Sequence, residues 1–223
     1  MSLTNDQVTA LRNAITGYAF PCDYYDFVNN IANPQPNMIA VENLIRADLT
    51  SGNATSVKNG LSNVLYWGYA QVGYRCVRVT TFREKVTNEK LMSAETLFQN
   101  VVGDGLVQIK AIGLPEFSGM SFVSKIRMFL DPENYVTLDI QILKMNQIQV
   151  PTVLNEISFA KTESSIRISG PNVRVYNSWC KKCLSISNTY FGGQYRAVDV
   201  ENGFFALIQG KNIQVAAAIL SAA

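Results

Sequence analysis

The chain contains no histidine. That absence removes serine–histidine and cysteine–histidine triads, histidine general bases and histidine metal sites. Any chemistry must come from carboxylates, lysine, thiols or hydroxyls. Cysteine is scarce as well. Four cysteines in 223 residues (Cys22, Cys76, Cys180, Cys183) do not make a disulfide framework. Cys180 and Cys183 form a CxxC, but a second pair at metal spacing is missing, so a zinc site would need Cys22 and Cys76 to converge on it. Buried thiols are the simpler expectation, and no metal is expected. Long apolar runs are also lacking: residues 213–223 are interrupted by Gln214 and Ser221 and are too short to span a bilayer. The opening MSLTNDQVTALRN has no charged-then-apolar secretory pattern. An intracellular, cytoplasmic protein with no membrane partner is the expectation.

What is present describes an ordinary folded chain, 48% hydrophobic and 16% charged, long enough for one large domain or two interleaved lobes. The net charge of +2 does not argue for nucleic acid by itself. Its distribution is more telling. Arg75, Arg78, Arg83, Lys85 and Lys90 cluster, and Lys110, Lys125, Arg127 and Lys144 follow. Such patches suit phosphate binding, though a solvated helix face would look the same.

Apolar spacing predicts helices over residues 4–18, 38–49, 54–70, 91–102, 106–112, 119–130, 138–145, 171–186 and 198–209. Residues 157–168 stay open between loop, strand and irregular helix. The class is mainly α.

Residues 114–139, LPEFSGMSFVSKIRMFLDPENYVTLD, hold the most specific pattern. A Pro/Gly-bearing turn joins two helical patterns, the second helix carries Lys125, and a lone Asp139 follows a Pro-broken loop. This order resembles the helix–hairpin–helix DNA glycosylases, in particular a bacterial 8-oxoguanine DNA glycosylase-like branch. Phe122-Val123-Ser124-Lys125 followed by Phe129 looks like a run in that branch. Trp67-Gly68 and Val198-Asp199-Val200-Glu201 resemble its flanks.

The resemblance implies a two-lobed helical fold. A middle lobe of about residues 40–144 would hold the hairpin 113–119, and residues of about 1–39 and 145–223 would form the other lobe. In the family the hairpin turns backbone N–H groups toward a DNA phosphate at the start of the next helix, a geometry that glycine favours. Gly113, Ser118, Gly119, Met120 and Ser121 are the expected DNA-binding residues. With the final hairpin glycine on Gly119, Phe117 replaces an earlier glycine and Ser121 occupies the place of the nucleophilic lysine. Asp139 lies 18 residues beyond Ser121, the family distance from lysine to aspartate. Gln141 stands where better-known members often have histidine.

Lys125 follows Ser121 by one turn, about 6 Å along the helix axis, and helical side chains lean toward the amino end. The resemblance therefore makes Lys125 and Asp139 the candidate catalytic pair, facing one cleft. The alternatives are a solvent-facing lysine and an aspartate that serves as a helix cap or turn residue. Trp67, Phe122 and Trp179 are candidate walls for a flipped base, though large aromatics are more often core residues.

Removal of an oxidised purine, with or without cleavage at the abasic site, is the expected function. Double-stranded DNA with a damaged base is the partner, and no small-molecule cofactor is needed. A silent helical DNA-binding module and a protein–protein scaffold are the competing expectations.

Overall fold

The computed structural model describes residues 2–100, 105–159 and 165–223 and is mainly helical. No helix among these residues is long and apolar enough to cross a membrane. Internal packing separates two compact units. Phe20–Leu130 form one; the segment before Phe20 and everything from Asp131 onward form the other.

The Phe20–Leu130 unit opens with an antiparallel hairpin, β1 (Asp23–Asp26) and β2 (Ile31–Pro34), with Tyr25 opposite Ala32. Helical spacing gave no warning of it. Asp26 Oδ1 accepts the Val28 and Asn29 N–H groups in the turn, and Asn63 clasps the Tyr25 backbone from outside. Five helices follow: α2 (Met38–Leu49), α3 (Ala54–Gly68), α4 (Arg75–Lys85), α5 (Asn88–Phe98) and α6 (Gly105–Ala111). The starts of α2, α3 and α5 are set by Asn37, Asn53 and Thr87, whose side-chain oxygens accept backbone N–H groups of the first turn. The expectation of helix through residue 102 is met as far as Phe98, and residues 101–104 lie outside the described residues. The unit ends with α7 (Met120–Leu130), which packs on α2 and α3. Arg46 Nε donates to the Phe129 carbonyl at 3.1 Å, placing a cation at the negative end of α7.

The second unit joins α1 (Asn5–Thr16) to α8 (Gly170–Phe191), α9 (Ala197–Gln209) and α10 (Ile213–Ala222). Thr4 and Gln7 make a reciprocal capping box at the start of α1. Two differences from sequence expectation stand out. The helix expected over 138–145 starts later and is tighter: residues 138–141 lie outside any helix, and a 3-10 helix runs over Ile142–Ile148. No helix or strand is found in 157–159 or 165–168, and residues 160–164 lie outside the described residues.

The unit boundary falls at 130 rather than about 144, and the other boundary at 20 rather than about 40. Hydrogen bonds give the reason for the first. The Pro132 and Glu133 carbonyls accept the Val198 and Ala197 N–H groups at 3.2 Å each. Further on, Val136 and Thr137 carbonyls accept Tyr176 Oη and Trp179 Nε1 at 3.0 and 3.1 Å. Residues 132–137 are thereby tied to α8 and α9.

Helix α1 lies close against α9 at Gly203, where an added Cβ would sit 2.6 Å from Ile15 Cγ1 and 3.0 Å from Leu11 Cδ1. Gly203→Ala should therefore destabilise the protein by about 1–3 kcal/mol, as overpacking does, despite alanine's better helix propensity. The midpoint of urea unfolding measures it; a stabilised variant would show that α1 is not held at this distance.

Candidate functional site

The chain leaves α6 through Gly113, whose φ of +68° is the left-handed region that glycine tolerates. Its carbonyl accepts Lys90 Nζ at 2.6 Å. Leu114 is buried, and Glu116, with φ at +67°, takes a second left-handed position that non-glycine residues seldom adopt. The carboxylate of Glu116 pairs with Arg78 at 3.0 Å. That pairing neutralises an acid on the hairpin. The left-handed backbone thus falls at Gly113 and Glu116, not at Gly119.

Phe117 is buried, with its ring edge-on to Phe82 at 5.6 Å and to Phe122 at 6.2 Å. Phe117, where the resemblance expects a glycine, serves as a plug under the turn. Ser118 is exposed. Gly119 precedes α7, and its carbonyl accepts the Val123 N–H at 3.2 Å. Met120 is fully buried, so only its backbone is in question as a DNA contact. The first N–H groups of any helix lack intrahelical acceptors, and here those belong to Met120, Ser121 and Phe122.

Lys125 lies one turn into α7 and is 6% exposed, an unusual degree of burial for lysine. Its amine reaches back to the Ser121 carbonyl at 3.3 Å and lies 5.2 Å from the Phe122 ring centre. Gly68 makes the room. A Cβ at that position would stand 2.5 Å from Phe122 Cε1 and 3.2 Å from Lys125 Cδ. The small residue of α3 and the lysine of α7 are thus parts of one arrangement.

The proposed base walls divide. Trp67 is buried, donates its N–H to Met38 Sδ at 3.2 Å, and packs against Phe20 and Phe129. Trp179 has no exposed surface, donates to Thr137, and meets Phe204 edge-on at 5.4 Å. Both tryptophans are core residues, since each carries an apolar face into packing and a single N–H to an internal acceptor. Phe122 differs: it is half-buried and stacks obliquely on Tyr69 at 4.5 Å. Tyr69 also meets the exposed ring of Tyr74 at 5.4 Å, and burial raises its phenol above the ordinary tyrosine value. The accessible ring beside Lys125 is therefore Phe122, with Tyr69 packed on it and Tyr74 on Tyr69. The run Tyr66-Trp67-Gly68-Tyr69 puts Tyr69 beside a tryptophan, and nothing local tells which ring is buried.

In the other unit, half-buried Asp139 turns its Oδ1 to the Gln141 and Ile142 N–H groups at 2.9 and 3.3 Å. This is the capping arrangement anticipated as its alternative role. It also holds the carboxylate at a defined angle.

The cysteines are all thiols. Cys180 and Cys183 are buried in α8, and burial pushes the Cys183 thiol well up, with Cys180 and Glu201 adding to the effect. Cys22 is half-buried and also raised, first by burial and then by Asp23 and Glu42. Cys76 is exposed. A maleimide time course on the native protein should label Cys76 first and leave Cys180 and Cys183 unmodified until denaturant is added. Rapid labelling of the CxxC pair would contradict their burial.

No family model matches the chain, and neither a curated protein nor a solved structure shows significant similarity to it.

Proposed function

We propose that the chain is a DNA N-glycosylase that removes an oxidised purine such as 8-oxoguanine, with abasic-site lyase activity carried by Lys125. The placement of Lys125 supports this most: a buried amine on the first turns after the hairpin, reaching back to Ser121, where the resemblance puts the nucleophile. A Schiff base requires an amine fixed where the sugar carbon arrives. The stem of Lys125 on Gly68 and the amine at a backbone carbonyl supply such fixation.

In this reading the Lys125 amine attacks the deoxyribose C1′. The N-glycosidic bond breaks, its electron pair leaves with the base, and a proton restores the departing base to neutrality. The sugar ring opens to an imine on Lys125, and loss of the C2′ proton expels the 3′ phosphate. The resemblance would have Asp139 supply the carboxylate that stabilises the cationic sugar. Its capped geometry suits that role, because Oδ1 is oriented by two backbone N–H groups. Phe122 and Tyr69 offer stacking surface for an extruded base. The hairpin's helix-start N–H groups, with Lys90 and Arg78 behind it, would receive the phosphate.

The test is a panel of duplexes carrying different damaged bases, read for base release by alkaline cleavage and for covalent capture with borohydride. Capture on an oxidised purine is the expected result. Duplex binding that weakens with salt but releases no base would replace this reading with a silent DNA-binding module. Neither binding nor release would leave a protein-interaction role.

A further inference from the structure

The β1–β2 hairpin, α3 and α4 line an open cavity of about 440 Å³, within the size range of small-ligand sites. Its wall includes Tyr25, Phe27, Tyr66, Lys58 and Arg83. Arg83 is unusually well prepared. Its guanidinium lies 4.1 Å from the Phe27 ring centre, and Nη1 donates to Asn59 Oδ1 at 2.9 Å and Ser62 Oγ at 3.1 Å. With Nη1 engaged and the plane held on a ring, the Nε and Nη2 edge remains. That edge is the parallel fork that matches phosphate or carboxylate oxygens.

Among the described residues no carboxylate forms an ion pair with Arg83 or with Lys58. Arg83 nevertheless lies in the surroundings of Lys58. The Lys58 amine is held below the ordinary lysine value by burial first and by Arg83 second. The wall has one carboxylate, the exposed Glu84, against these two cations. Two uncompensated cations sharing a cavity repel each other, and an anion between them would relieve both. The wall also carries three rings, Tyr25 packed on Phe27 at 4.8 Å and on Tyr66 at 5.0 Å, beside Asn30, Cys76, Val79 and Thr80.

We infer that this cavity binds a nucleotide, its phosphate on the Arg83 fork and Lys58 and its base against the aromatic wall. The site shares α3 with the Lys125 arrangement but none of its residues, and it does not depend on the reaction proposed for it. A free nucleoside monophosphate and the 5′-phosphorylated end of a short strand share the required chemistry.

Calorimetric titration with guanosine 5′-monophosphate, guanosine, inorganic phosphate and a 5′-phosphorylated trinucleotide tests it. The monophosphate should bind about tenfold or more tightly than either guanosine or phosphate alone. Lys58→Gln and Arg83→Gln should each weaken it by about tenfold or more, as loss of a charged contact does. Because Arg83 also holds Asn59 and Ser62, Lys58→Gln is the decisive variant if Arg83→Gln lowers the melting temperature. Bound monophosphate should also slow labelling of Cys76, which lines the same cavity. Trinucleotide affinity equal to or above that of the monophosphate assigns the site to a strand end, and weaker affinity assigns it to the free nucleotide. Monophosphate binding no tighter than guanosine, or unchanged in Lys58→Gln, overturns the inference.

Discussion

Lys125→Ala is expected to abolish borohydride capture and strand cleavage, while Asp139→Asn reduces base release by about 100- to 10,000-fold, the usual range for a positioned catalytic group. Lys125→Gln keeps the stem on Gly68 and removes the amine's nucleophilicity, so its melting temperature should stay near wild type while capture is still lost. The aspartate variant carries the sharper distinction. Asparagine caps as well as aspartate does, and its Oδ1 can still accept the Gln141 and Ile142 N–H groups. If Asp139 were only a cap, Asp139→Asn would change neither stability nor base release. If the charge acts on the sugar, stability holds and base release collapses. Asp139→Ala should lose both, with about 0.5–2 kcal/mol of stability going with the cap. A fully active Asp139→Asn protein would leave the carboxylate with a structural role alone.

Trp179→Ala is expected to cost about 3–5 kcal/mol, the range for emptying a large aromatic from a core. The side chain has no exposed surface, meets Phe204 edge-on, and donates to the Thr137 carbonyl at 3.1 Å. Native stabilities are about 5–15 kcal/mol, so this one change could remove most of the margin. Trp179→Phe restores part of the packing but leaves a buried carbonyl without its donor, worth about 1–3 kcal/mol. Tyr176→Phe makes the same deletion at Val136 with less loss of volume and should fall near the lower end. Both donors hold the segment that runs into Asp139. Guanidinium unfolding of the three variants should rank them alanine, then phenylalanine at 179, then phenylalanine at 176. A loss under about 1 kcal/mol for Trp179→Ala would mean the indole is not a core element.

These two results bear on different kinds of information in the chain. Most of the helices were legible locally: Asn37 and Asn53 each stand just before an apolar stripe and cap the helix that follows, whereas α4 was not expected and α5 starts at Asn88, three residues before its expected start. Asp131-Pro132 likewise marks the end of α7, since a residue before proline resists helical backbone. Lys125 could be placed one turn from Ser121 by helical geometry alone, and the amine does reach that carbonyl.

What the sequence could not show depended on partners distant along the chain. The β1–β2 hairpin rests on Asn63, which lies 38 residues from Tyr25. Helix α8 continues past the expected residue 186 to Phe191, where the side chain is buried and Gly192 supplies the left-handed stop. Glu116 takes a conformation expected of glycine while its carboxylate is paired with Arg78, on a helix 38 residues earlier. Residues 132–137 belong with α8 and α9 because Tyr176, Trp179, Ala197 and Val198 donate to their carbonyls. Caps, prolines and apolar stripes act within a few residues, so the sequence by itself determined the helical class and most helix ends. Burial and hydrogen-bond pairing act across the whole chain, and only the tertiary structure decided which aromatics are core, where the units divide, and which cations share a cavity.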